Sequence, residues 1–87
     1  MNVASVLQQL VDWEQDSSGA DITDLGNFLE ACDYVRTDYP GDWTTVFTHP
    51  RWRRRWTFMM QKHSIPRRLV DRILQSVKED LTADGYL

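Results

Sequence analysis

The chain has 87 residues, of which 41% are hydrophobic and 26% charged, with a net charge of −3; this is the length of one domain, and too apolar a mixture for intrinsic disorder. Four glycines and three prolines exclude collagen-like and low-complexity classes, and the longest apolar run, Phe58-Met59-Met60, falls far short of the ~20 residues of a membrane span. The lone cysteine, Cys32, allows no intrachain disulfide, and the first residues carry no basic stretch before Asp12 and Glu14, so the expectation is one cytoplasmic domain over residues 1–87.

Charge is divided unevenly along the chain. Residues 1–50 hold nine acids and one base, Arg36; residues 51–72 hold eight bases and one acid, Asp71. Residues 73–87 return to acid, with Lys78 against Glu79, Asp80 and Asp84. An asymmetry of this size points to an electrostatically guided partner, unless the two halves neutralise each other within one molecule.

In chain order, Val3, Val6, Leu7, Leu10 and Val11 recur at helical intervals and predict a first helix from Val3 to about Gln15. Ser17-Ser18-Gly19 breaks it. Asp21 reads as the N-cap of a second helix, with Asp24 in its first turn and Ile22, Leu25, Phe28, Leu29, Cys32 and Val35 on one stripe. Pro40-Gly41 ends that helix. Asp42 to Thr48 is ambiguous: Trp43 to Phe47 favours a strand by propensity, but one short strand has no evident partner, so a short turn or extended connector that inserts Trp43 and Phe47 into the core is expected there. A third helix is predicted from Pro50, capped by Thr48 or His49, with Trp52, Trp56, Met59, Met60 and His63 on one face and His63 closing its C-terminal end. A fourth begins with Ser64 as cap and carries the stripe Leu69, Val70, Ile73, Leu74, Val77 and Leu81, with Gly85 beyond its end.

The expected fold is therefore all-α: a small four-helix domain whose last two helices form a tight hairpin. That hairpin, over about residues 56–76, resembles a helix-turn-helix unit, with Phe58 to Ser64 as first helix and turn and Ile65 to Leu74 as recognition helix. Met60 and Ser64 depart from the small residue and the glycine usual in such turns. The resemblance implies that Arg67, Arg68, Asp71 and Gln75 face a DNA groove while Arg53, Arg54 and Arg55 meet phosphates.

Catalytic signatures are lacking. The glycines are too scattered for a phosphate loop, Cys32, His49 and His63 lack the spacing of a zinc site, and no serine sits in a nucleophile elbow. No enzymatic activity, cofactor, metal, small-molecule substrate or membrane association is expected. The chemistry lies in Arg51, Arg53, Arg54, Arg55, Lys62, Arg67, Arg68 and Arg72, with Trp52 and Trp56 as candidate interface aromatics, since Trp and Arg dominate binding hot spots. The leading expectation is a small adaptor or inhibitor that binds a larger protein through this basic face and its acidic N-terminal half. The alternative is a DNA-binding regulator using the helix-turn-helix-like hairpin, and a homodimer is left open.

Overall fold

The computed structural model describes residues 1–60 and 64–87 of the chain. Two of the expected helices form where the sequence places their starts. Helix α1 spans Val3–Gln15, with the Asn2 side chain accepting from the Ser5 N–H, and buries Val6 and Leu10. Helix α2 spans Ile22–Ala31, and its N-cap is Asp21, whose carboxylate accepts from the Thr23 N–H at 2.6 Å.

Beyond α2 the chain departs from the all-α expectation. The helix stops at Ala31 because Asp33 adopts the left-handed conformation (φ 73°), with the Tyr34 N–H returning to the Leu29 carbonyl and the Asp33 N–H to Glu30. This is the Schellman arrangement, usually built on glycine, and aspartate is a poorer signal for it. Val35–Tyr39 then runs as strand β2, followed by a single 3-10 turn, Pro40–Asp42, and a left-handed Trp43 (φ 55°). Thr44–Thr48 is strand β3. Among the described residues the predicted third helix does not form: residues 49–55 are a loop, and Trp56–Met59 is strand.

These strands form an antiparallel sheet in the order given by chain position, the last being β4 at Trp56–Met59, so the central strand finds the partners that the sequence did not reveal. Register places Phe47 opposite Trp56 and Thr45 opposite Phe58. Phe47, Thr45 and Phe58 are buried on the inner face, and Phe47 and Phe58 meet edge to face with ring centroids 5.9 Å apart. On α2, Gly26 lies against this face so closely that a Cβ there would sit 3.1 Å from the Phe47 ring. A glycine inside a helix costs up to about 1 kcal/mol relative to alanine, and the close approach of helix and sheet is what it gives in return.

Ser64 and Ile65 are likewise a short strand, β5, paired antiparallel with β1 at Ala20–Asp21. Ser64 is therefore not the cap of the last helix; Pro66 is, and α3 spans Arg67–Ala83. Its stripe of Val70, Ile73, Leu74, Val77 and Leu81 is buried as the spacing requires. Gly85 (φ 85°) closes it in a second Schellman arrangement, with the Tyr86 N–H on the Leu81 carbonyl. The fold is thus mixed α/β, with three helices, a three-stranded and a two-stranded antiparallel sheet among the described residues, and not a four-helix bundle. The helix-turn-helix-like hairpin falls with it, because Trp56–Met59 and Ser64–Ile65 are strands. His63, expected to end the third helix, lies outside the described residues.

Candidate functional site: an arginine surface beside the last helix

The loop between β3 and β4 is built around His49. Its Nε2 lies 2.8 Å from the Cys32 carbonyl, and its Nδ1 accepts from the backbone N–H groups of Arg51 and Trp52 at 3.1 Å each. A carbonyl can only accept and an N–H can only donate, so the partners select the neutral ring with its proton on Nε2. The imidazole stacks on Trp52 with centroids 4.0 Å apart and planes 6° from parallel, and Tyr34 meets both rings edge-on. Every polar position of the ring is occupied by the fold, which gives His49 a positioning role.

Trp52 is the second anchor. It is buried, and its indole Nε1–H donates to Asp84 Oδ2 at 2.9 Å, tying the loop to the end of α3. Arg51 reaches the same carboxylate oxygen at 3.4 Å. Trp56 is half-buried against the core. Of the two tryptophans named by the sequence as interface aromatics, Trp52 thus stands inside the protein holding the loop, and Trp56 is partly buried where β4 begins.

With its anchors inside, the loop presents Arg53, Arg54 and Arg55 to solvent. Arg54 lines two grooves. One also contains Asp71, Arg72, Gln75, Ser76 and Glu79 from α3; the other contains Arg51, Arg53, Asp80 and Asp84. The structure therefore brings Arg54 and Arg72 to one groove, and Arg68, one turn before Arg72, is exposed on the same helix. Arg67 is different. Its Nη1 donates to the Trp13 carbonyl at 2.9 Å and its Nε meets Asp71 at 2.7 Å, so it fastens α3 to α1. Lys62 lies outside the described residues.

Near Arg54, Tyr34 Oη, Trp56 Nε1 and Asp80 Oδ2 are buried without a hydrogen-bond partner among the described residues. Burial pushes the Tyr34 hydroxyl up to about 12, with Asp80 adding to the rise. Burial also raises the Asp80 carboxyl above its ordinary value, while Arg54 pulls it back and Asp84 and Glu79 add to the rise. Sequence reasoning missed Tyr34, Asp80 and Asp84 as members of this region, since they come from separate elements with no local motif to join them.

Among the described residues the acidic half forms no direct ion pair with the basic segment. Among the described residues, the ion pairs are Met1 N-terminus–Asp33, Arg36–Asp38, Arg51–Asp84, Arg67–Asp71 and Lys78–Glu14. None joins an acid of residues 1–50 to a base of residues 51–72. Asp12, Asp16 and Asp24 instead gather with Gln9 around Trp13 in a groove between α1 and α2. Among the described residues no helix is long and apolar enough to cross a membrane. In comparisons with protein-family models, curated proteins and solved structures, none matches this chain.

Proposed function

We propose that the chain is a non-enzymatic binding protein, a small cytoplasmic adaptor or inhibitor, whose protein partner docks on the surface carrying Arg53, Arg54, Arg55, Arg68 and Arg72. The observation that carries this reading is the mixed sign of the two grooves beside Arg54. A nucleic-acid backbone is a uniform polyanion, and Asp71, Glu79, Asp80 and Asp84 in those grooves would oppose it. A protein surface can answer arginine with carboxylate and aspartate with lysine at fixed positions, and such matching gives specificity and rapid association. Arginine suits the task because its planar fork binds a carboxylate through two parallel hydrogen bonds. The ordering entropy is kept low because His49, Trp52 and Asp84 already hold the loop.

The test is capture of a partner by the immobilised full chain at salt near or below about 150 mM, where exposed charges still act over about 8 Å. The wild type should retain one partner, the double reversal Arg54→Glu with Arg72→Glu should lose it, and reversal of the exposed Asp12 to Arg should not. A partner held equally by the Arg54/Arg72 double variant would overturn the assignment.

A further inference from the structure

Among the described residues no strand pairs with the outer edge of β2 in the three-stranded sheet. Strand order puts β2 on the outside, and all five of its residues, Val35-Arg36-Thr37-Asp38-Tyr39, are exposed. Val35 and Tyr39 are among the most exposed large apolar side chains of the protein, at 56% and 46%. An edge of this kind carries a row of unpaired backbone donors and acceptors ready to take another strand. Charges on an edge strand commonly prevent pairing. Here their order does the opposite for one particular partner.

We propose that β2 pairs antiparallel with β2 of a second copy of this chain, about a two-fold axis through Thr37. That register sets Thr37 against its own equivalent, Arg36 against the partner's Asp38, Asp38 against the partner's Arg36, and Val35 against the partner's Tyr39. Each is a favourable cross-strand pair: Thr–Thr, opposite charges, and β-branched with aromatic. A two-fold interface must be self-complementary, with residue i meeting j and j meeting i, and this five-residue sequence satisfies the condition at every position. A slip of two residues, which keeps the same faces, puts Val35 against the partner's Thr37 and leaves both tyrosines unpaired. Within one chain Arg36 Nε already holds Asp38 Oδ1 at 3.1 Å while the Thr45 hydroxyl donates to the same oxygen at 2.8 Å. Pairing exchanges the Arg36 contact for its equivalent across the axis and leaves the Thr45 bond in place. The dimer joins two three-stranded sheets into one of six strands. It uses none of the arginines of the proposed partner surface.

Five residues make a small interface, well below the ~1,200 Å² of stable complexes, so the association is weak and is read at high concentration. Sedimentation equilibrium of the full chain should show the mass rising from 10.3 kDa toward twice that value between about 10 μM and 1 mM. Arg36→Asp places like charges opposite each other and should stay monomeric; Asp38→Arg should do the same. An equimolar mixture of those two variants restores opposite charge at every position and should dimerise. Arg36→Asp keeps the Thr45–Asp38 bond, and helical circular dichroism identifies any variant that has unfolded. Independently, Thr37→Cys should crosslink to its equivalent with a short bis-maleimide, whereas Thr57→Cys, on β4, should not; buried Cys32 does not compete. A wild type monomeric up to about 1 mM, a dimer undisturbed by Arg36→Asp, or folded variants that fail to associate on mixing would each overturn the proposal.

Discussion

Cys32 and His49 show how single side chains fix the region beneath the arginine loop. Burial pushes the Cys32 thiol from an ordinary 9.0 up to about 12, with neighbouring Asp33 adding to the effect. The thiolate is the reactive form, so in the folded protein Cys32 should resist iodoacetamide at about pH 8.5 and react promptly once urea unfolds the chain. Because the folded value lies above the unfolded one, the neutral thiol's contribution is fully present below pH 9.0 and is lost as pH rises toward 12. Burial raises the Tyr34 hydroxyl in the same direction. The melting temperature should therefore fall through this alkaline window; a level profile would contradict the burial of both groups. His49→Ala leaves the Arg51 and Trp52 N–H groups and the Cys32 carbonyl without their partner and removes the stack on Trp52. It should cost about 2–4 kcal/mol in urea unfolding. A loss within about 0.5 kcal/mol, the range of an ordinary surface substitution, would mean the loop is not held this way.

Between elements, glycine positions report how closely backbones approach. At Gly19 a Cβ would collide with the Ile65 carbonyl oxygen, where β1 pairs with β5, whereas at Gly41 it would meet nothing within 4 Å. Gly19→Ala should destabilise by about 1–3 kcal/mol and Gly41→Ala should stay within about 0.5 kcal/mol, both read from denaturant midpoints. Equal effects would remove the short sheet from the fold. The same elements show what the sequence could convey. α1, the start of α2 and the stripe of α3 were legible because periodic apolar residues and the Asp21 cap are local signals. The end of α2 was not, because an aspartate takes the left-handed position that glycine usually marks. Strand β3 carried the right propensity in Thr44 to Phe47, but its partners were hidden: Val35 to Tyr39 read as a continuation of the helix, and Trp52, Trp56 and Met60 happen to recur at helical intervals. Alternation of Trp56 and Phe58 inward against Thr57 and Met59 outward was the competing period-2 signal. The arginines of the candidate site were legible as a cluster, while their scaffold of His49, Tyr34, Asp80 and Asp84 required the fold.

At the scale of the molecule, the acids of the N-terminal half and the exposed arginines line different grooves. Three aspartates gather around Trp13, and Arg53, Arg54, Arg55, Arg68 and Arg72 lie exposed without an ion pair among the described residues. A protein of net charge −3 gains little long-range attraction for nucleic acid from five arginines set among acids. Specific docking of a protein with matching charges is favoured by the same layout. The most direct measurement is electrophoretic mobility of mixed duplex DNA and single-stranded RNA fragments with the full chain at about 20–50 mM salt, where phosphate contacts are strongest. The protein-partner account predicts no retardation of either nucleic acid. Retardation that weakens with salt at a slope approaching −0.9 per neutralised phosphate, and that disappears in the Arg54→Glu, Arg72→Glu variant, would contradict it and assign the arginine surface to nucleic acid.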